Sequence, residues 1–147
     1  MPLLEELAAR AGSVVGDSID HSDLHDGNVF VLADEVRIGD FGDSCVGSPF
    51  VSLVVLQRVL TDRLGVAPDG PEMTRLYQAA LEPWTGPASM RELVEVATLV
   101  RPLGLLGRGL TWRTLITGID DPGMREYADG WSAYERELLT ALDTIAG

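Results

Sequence analysis

The stretch from Ile19 to Gly42, IDHSDLHDGNVFVLADEVRIGDFG, decides how the rest of this chain is interpreted. It contains both histidines of the protein, His21 and His25, and its only asparagine, Asn28. Apolar residues separate a polar segment at its start from a second polar segment at its end. Because the side chains able to do chemistry are concentrated here, we expect the functional site to lie in this stretch.

Two short apolar runs inside the stretch predict a β-hairpin. Residues 28–33 (NVFVLA) and 36–39 (VRIG) are rich in β-branched side chains, which favour strands. The intervening Asp34-Glu35 suits a tight turn. A hairpin of two strands is marginal in water by itself. We therefore expect it to be buried on at least one face against helices.

The rest of the chain has apolar residues at helical spacing, which predicts a mostly helical domain. The expected helices cover about Leu3–Ala11, Ser48–Leu64, Asp69–Leu81, Ser89–Arg101, Leu105–Thr117 and Trp131–Ile145. Ser48 and Pro49 suit a helix start, and Ser89 to Glu92 reads as a capping box. Pro102 and Gly104 are expected to interrupt the chain between two helices. The fold class is thus mostly α, as one domain over residues 1–147 with one small hairpin.

Composition limits the function. The chain has 46% hydrophobic residues and a net charge of −12, from 23 acidic and 11 basic residues. This balance argues against nucleic acid, whose phosphates need a basic surface. It suits either an acidic surface that keeps the protein in solution or a small, cationic molecule steered to an acidic cleft. All the bases are arginine, which excludes a lysine nucleophile in these residues. The single Cys45 excludes an internal disulfide and is expected to be a small core residue.

No targeting or membrane segment is expected. The first ten residues include Glu5 and Glu6 and have no basic start followed by an apolar run, unlike a secretory signal. The most apolar stretches are too short or too interrupted to span a bilayer. We therefore expect a cytoplasmic protein without a membrane partner.

One chemical interpretation is a metal-dependent hydrolase. His21, Asp23 and His25 alternate, so in an extended segment their side chains would point to one side and could ligate a divalent metal. A catalytic metal site usually has three protein ligands with a supporting shell, and the chain has no further histidine.

A second interpretation uses a longer pattern, H-x-D-x-x-x-x-N followed by D-F-G. Asn28 and Asp40 are twelve residues apart, at the two ends of the predicted hairpin. One carboxylate, Asp23, could receive the proton of an acceptor hydroxyl. An amide oxygen and a second carboxylate could hold Mg²⁺ against nucleotide phosphates. This arrangement predicts magnesium-dependent phosphoryl transfer.

The two motifs HSDLHDGNV (residues 21–29) and IGDFGD (residues 38–43) resemble those of the aminoglycoside phosphotransferase family, which has a protein-kinase-like fold. The resemblance implies the C-terminal lobe of such an enzyme, with ATP and Mg²⁺ as cofactors. It implies that Asp23 is the catalytic aspartate and that Asn28 and Asp40 bind the metal and, through it, the nucleotide. His21 would anchor the loop, and His25 would shape it.

Three departures from the family pattern affect these expectations. Ser22 replaces a commoner glycine. Ser48 and Ser52 stand where the family often has aspartates, so we expect the loop-anchoring charge at those places to be lost. The glycine-rich turn and strand lysine of an N-terminal nucleotide lobe have no counterpart here. The resemblance therefore covers a C-terminal lobe, and its ATP site is incomplete without that N-terminal lobe.

Three functions from different classes follow. The first is an ATP- and Mg²⁺-dependent phosphotransferase acting on a small hydroxylated molecule; this chain alone could be inactive. The second is a non-catalytic remnant that serves as a binding module, and the third is the metal-dependent hydrolase. A lobe without its partner would expose apolar surface, so we expect it to self-associate or to bind a separate N-terminal lobe. Residues polar or aromatic enough to line an acceptor site are Glu82, Trp84, Asp120, Asp121, Trp131 and Glu135.

Overall fold

The computed structural model describes residues 2–117 and 125–146, which are mostly helical. The described helices are α1 (Pro2–Gly12), α2 (Leu53–Leu64), α3 (Pro71–Leu81), α4 (Met90–Thr117) and α5 (Arg125–Ala146). The described strands are β1 (Ser18–Asp20), β2 (Val29–Leu32), β3 (Glu35–Ile38) and β4 (Cys45–Gly47). Short 3₁₀ turns cover Asp26–Asn28 and Glu82–Trp84. The mostly α fold class predicted from periodicity is confirmed.

The predicted hairpin is present. β2 and β3 pair antiparallel, with Val29 opposite Ile38 and Leu32 opposite Glu35. Its two-residue turn is Ala33-Asp34, one residue earlier than the predicted Asp34-Glu35, so Glu35 belongs to β3. Ala33 lies in the left-handed region, with φ of 50°. A second pair, β1 with β4, was not predicted because three-residue strands are too short to show an alternating pattern. This pair joins the two ends of the segment from Ser18 to Gly47, which contains the hairpin, so that the segment forms one unit.

The expectation that the hairpin is buried against helices was wrong. Every residue of β3 is exposed, and so are three of the four residues of β2. Val31 is 73% exposed and Val36 is 67% exposed. The hydrogen bonds between the two strands hold the hairpin, while the helices pack on each other instead. The hairpin therefore projects from the helical body with apolar side chains facing outward.

The core lies around α4, which contacts α1, α2, α3 and α5. Leu93, Val96 and Val100 on this helix are almost completely buried. Together with Ala97 of the same helix, they belong to a cluster with residues from other parts of the chain, namely Ala11, Val15, Phe50, Leu53, Leu81 and Ala88. A second, smaller cluster joins Val54, Leu105 and Tyr134. Burial of these apolar side chains is the main driving force for packing the helices.

Helix α2 begins later than predicted. Its first residue is Leu53, whereas Ser48 and Pro49 lie in the turns that precede it. Phe50 is buried in the core, and the backbone N–H of Ser52 donates a hydrogen bond to the Asp20 carboxylate. These tertiary contacts hold the segment in a non-helical path. The predicted stop at Gly65 is confirmed, with φ of 67°.

Helix α4 joins two helices that were predicted to be separate. The capping box at its start is confirmed: the Ser89 hydroxyl and N–H both donate to the Glu92 carboxylate. These bonds lower the pKa of Glu92, the hydroxyl bond most. Pro102 lies inside the helix and is fully buried. A proline removes one helical hydrogen bond and strains the preceding turn, and here core packing on both sides of it outweighs that cost. None of the described helices is long and apolar enough to cross a membrane.

Gly104 allows α4 to lie close to the segment that starts α2. A Cβ at this position would lie 2.8 Å from Cγ2 of Val54 and 3.3 Å from Cγ1 of Val51. Replacing Gly104 with alanine is therefore expected to lower the free energy of unfolding by about 1–3 kcal/mol, as overpacking does. Gly107, on the same helix, has nothing within 4 Å of its Cβ position. Gly107→Ala should stabilise the helix by up to about 1 kcal/mol. Urea denaturation of both variants measures the two changes in the free energy of unfolding. Equal changes in the two variants would contradict the prediction.

Candidate active site

Asn28 connects the loop after β1 to the hairpin. Its side chain is buried, and Nδ2 donates a 3.0 Å hydrogen bond to the backbone carbonyl of Asp23. The backbone carbonyl of Asn28 accepts a 2.9 Å hydrogen bond from the N–H of Gly39, the residue before Asp40. Because the amide nitrogen is used in this way, the amide oxygen is the atom that can face a metal. The hairpin register thus places Asn28 beside the segment that leads to Asp40.

Asp40 follows β3 with a left-handed backbone. Its φ is 57°, which aspartate tolerates better than most residues because its carboxylate can bond locally. Here Oδ1 accepts a 3.4 Å hydrogen bond from the N–H of Gly42. The side chain is exposed. Asp40 is therefore held by its turn while its carboxylate remains accessible.

His21 ties the loop to the residues on either side of Asp40. It is buried, and its Nε2 lies 2.8 Å from the carbonyl oxygen of Gly39. Because a carbonyl can only accept, Nε2 carries the proton. The imidazole also lies against Phe41, with ring centroids 4.7 Å apart. The structure therefore brings His21 to the segment around Asp40, where it orients the backbone.

His25 contacts the loop and lies near Asp23. Its Nδ1 accepts a 3.0 Å hydrogen bond from the N–H of Gly27 and so caps the short turn that holds Asn28. Its Nε2 lies 3.7 Å from Oδ2 of Asp23. The neighbouring Asp26 forms an ion pair with Arg63, and the hydrogen bond from that guanidinium lowers the pKa of Asp26.

Arg108 is a site residue that the sequence did not reveal. It is only 8% exposed and lies in the middle of α4. Its Nη2 lies 2.8 Å from Oδ1 of Asp23, and its Nη1 lies 2.8 Å from Oδ2 of Asp43. Asp43 is thus a second ion-pair partner of Arg108, with its side chain 46% exposed. The only local signal was an arginine set among apolar and glycine residues of α4.

A buried carboxylate was also missed. Asp20 is 1% exposed. Its Oδ1 accepts hydrogen bonds from the N–H and the hydroxyl of Ser52, at 2.9 and 2.6 Å, and its Oδ2 accepts one from the hydroxyl of Ser22. The Ser52 oxygen in turn accepts a 3.0 Å bond from the N–H of Ser22. Positions 48 and 52 carry no charge, and the buried carboxylate beside Ser52 comes instead from Asp20 on β1.

Ser22 adopts a backbone conformation that explains why glycine would suit its position. Its φ is 63°, in the left-handed region, where a side chain costs roughly 1–2 kcal/mol. The hydrogen bonds to Asp20 and Ser52 offset this cost. The residue before Asp23 is thereby fixed in position.

A cleft of about 490 Å³ lies beside Asp23 and His25. We call it the Asp23 cleft; its walls come from α2, α4 and α5 and include Arg58, Asp62, Arg63, Arg108, Trp112 and Tyr134. The charges are mixed, and the acids are paired: Asp62 lies 3.5 Å from Arg58, and Asp23 is bound by Arg108. The guanidinium of Arg58 lies over the Tyr134 ring at 4.4 Å.

The residues nominated for the acceptor site from sequence do not form this cleft. Glu82, Trp84 and Glu135 are not among the described residues that line it. Trp84 instead packs edge-on against Phe50 in the core, with ring centroids 5.9 Å apart. Asp120, Asp121 and the side chain of Trp131 lie outside the described residues.

The donor set suits magnesium better than a transition metal. Among the residues that the structure describes, no group of three His, Cys, Asp or Glu side chains could hold a metal ion. His21 is directed at Gly39 and Phe41. The three side chains of the hydrolase interpretation, His21, Asp23 and His25, therefore do not point to one metal position. Asn28 and Asp40 offer two oxygens, and Mg²⁺ needs only one or two protein oxygens because it keeps several waters.

Cys45 does not take part in the core as expected. It is a free, exposed thiol in β4. The pairing of β4 with β1 directs it outward, and its sulfur lies 3.6 Å from the hydroxyl of Ser22. In this short strand no described apolar side chain packs over Cys45, so its residue type alone could not predict whether it is buried.

Comparisons with known proteins do not assign this chain to a family. No family model, curated protein or solved structure matches it. Its function is therefore inferred from the residues and their geometry.

Proposed function

We propose that this chain is the acceptor-binding, C-terminal lobe of a kinase-like phosphotransferase that moves the γ-phosphoryl group of ATP to a hydroxyl of a small molecule. The observation that carries the proposal is the position of Asn28. It bonds to the Asp23 backbone on one side and to Gly39, next to Asp40, on the other. The proton acceptor and the two metal donors thus belong to one loop-and-hairpin unit.

Asp23 would orient the acceptor hydroxyl and receive its proton. Arg108 holds Oδ1 at 2.8 Å, which leaves Oδ2 as the oxygen for a hydroxyl bound in the Asp23 cleft. The aromatic side chain of Trp112 on the cleft wall suits the apolar face of a ring. The acceptor would be a small hydroxylated molecule, and the preference for a cation stays a prediction.

Asn28 and Asp40 would hold Mg²⁺ through the amide oxygen and the carboxylate. When bound, the ion would neutralise charge on the nucleotide phosphates. His21 would keep Asp40 in place through Gly39. The rest of the ATP site would come from an N-terminal nucleotide lobe, whose glycine-rich turn and lysine are not among the 147 residues.

A non-catalytic binding module is the second candidate. The observation that favours it is the Arg108–Asp23 ion pair, since one oxygen of the proposed catalytic carboxylate is already occupied by a buried cation. Such a module would bind a small molecule in the Asp23 cleft without needing a nucleotide. Binding of Mg–ATP separates the two functions.

Phosphoryl transfer from radiolabelled ATP tests the first function. The chain would be assayed with Mg²⁺ and a panel of hydroxylated small molecules, at high ATP concentration because half of the nucleotide site is supplied by a second lobe. We expect transfer that disappears in the Asp23→Ala, Asp40→Ala double variant. Transfer that survives both substitutions would exclude the proposed site.

A further inference from the structure

The hairpin has one face that is entirely apolar. Side chains alternate along a strand, and directly opposed residues share a face. The register therefore puts the Val29–Ile38 and Val31–Val36 pairs on one side. Val31, Val36 and Ile38 are exposed. Four β-branched side chains thus line this face; three of them are exposed and Val29 is partly buried.

The opposite face carries a pair of charges on β3. Glu35 and Arg37 are two residues apart on this strand, and their side chains form a 2.7 Å ion pair. Their partners across the hairpin are Leu32 and Phe30. Both charged side chains are about two-thirds exposed, so they can exchange their mutual ion pair for partners on a second chain.

Among the described strands, β3 pairs only with β2, so its other edge is open. An open edge offers unpaired backbone N–H and C=O groups to another strand. The sequence of β3 is Glu35-Val36-Arg37-Ile38. If two copies of β3 pair antiparallel with Val36 opposite itself, each Glu35 lies opposite Arg37 of the second copy. The edge is therefore self-complementary in charge.

We propose that two copies of this chain associate through β3 in that register, forming a four-stranded antiparallel sheet with two-fold symmetry. Such an interface uses the same patch on both copies. The pairing joins the two apolar faces side by side and brings Val36 against its counterpart. A lone hairpin is marginal in water, whereas a sheet of three or more strands with an apolar face is stable. Association would thus add strand–strand hydrogen bonds and a Val36–Val36 contact to the hairpin.

Charge exchange on β3 tests the proposal. Sedimentation velocity of the wild type in physiological salt should show a monomer–dimer equilibrium. Arg37→Glu alone puts two like-charged pairs in opposition and should raise the dimer Kd roughly tenfold. Glu35→Arg alone should do the same. The double exchange, Glu35→Arg with Arg37→Glu, restores both pairs and should return the Kd close to that of the wild type.

Other outcomes would overturn the proposal. They are a monomeric wild type, dimers unaffected by the single exchanges, or no rescue by the double exchange. Circular dichroism melts of all variants show whether each one folds. A monomeric wild type would leave the apolar face for a different protein chain, such as a nucleotide lobe. The test needs no enzymatic activity, so its result is independent of the proposed phosphotransferase function.

Discussion

Replacing Asp23 with asparagine is expected to lower kcat for phosphoryl transfer by about 10²- to 10⁴-fold, the usual contribution of a positioned general base. Asparagine keeps the size of the side chain, and its amide oxygen can still accept the hydrogen bond that Arg108 gives to Oδ1. It cannot receive the proton of the acceptor hydroxyl. We therefore expect the variant to fold and to bind Mg–ATP as the wild type does.

Asp62→Asn is the matched control for Asp23→Asn. Asp62 also lines the Asp23 cleft, and it pairs with Arg58 rather than with Arg108. Its loss should change the KM for the acceptor more than kcat. Steady-state kinetics on both variants make the comparison. Wild-type turnover in the Asp23→Asn enzyme would show that Asp23 is not the proton acceptor.

Replacing Arg108 with leucine is expected to lower the free energy of unfolding by about 2–4 kcal/mol. Removing one partner of a fully buried ion pair costs about 3–5 kcal/mol, because a charge is left without compensation. The cost should be smaller here, since Asp23 is 23% exposed and Asp43 is 46% exposed. Both carboxylates would nevertheless lose the cation that separates them. Urea denaturation followed by circular dichroism measures the change.

Asp43→Asn removes only the ion pair between Arg108 and Asp43 and keeps the one between Arg108 and Asp23. Because the Asp43 carboxylate is nearly half exposed, its ion pair should contribute no more than about 1 kcal/mol. Arg108→Leu should therefore be clearly more destabilising than Asp43→Asn. Equal and small effects from both substitutions would mean that the buried guanidinium contributes little to the fold.

The local features of the fold could be predicted from sequence. The Ser89–Glu92 capping box and the stop at Gly65 depend on residues that are close in the chain, and both are present. The hairpin likewise follows from two β-branched runs, although its turn is Ala33-Asp34 and not the predicted Asp34-Glu35, which would have shifted the register. Once the hairpin is known, the approach of Asn28 to the residue before Asp40 follows from its register.

The contacts that complete the site could not be predicted. Arg108 reaches Asp23 from the middle of α4, and Ser52 reaches Asp20 from the start of α2. Both contacts depend on how the helices pack, which periodicity does not encode. The continuity of α4 through Pro102 has the same origin, because core packing outweighs a local preference. A polar residue in an apolar stretch of sequence indicates that such a contact exists, but the sequence does not identify the partner residue.

The exposed hairpin was the largest difference from expectation. Apolar strands usually indicate burial, and the sequence pattern does not say whether the cover comes from the same chain. Here the described helices do not cover Val31 or Val36. The exposed hairpin is the observation behind the proposed pairing of two copies through β3.

Calorimetric titration of Mg–ATP into the wild type and into the Asp40→Asn variant tests the central claim most directly. If Asn28 and Asp40 form a magnesium site, the wild type should bind Mg–ATP, and binding should disappear when EDTA removes the metal. The Asp40→Asn variant, which keeps the turn but loses the charge, should bind at least about tenfold more weakly, the equivalent of 1.4 kcal/mol. No binding by the wild type, or equal binding by the two proteins, would contradict the account.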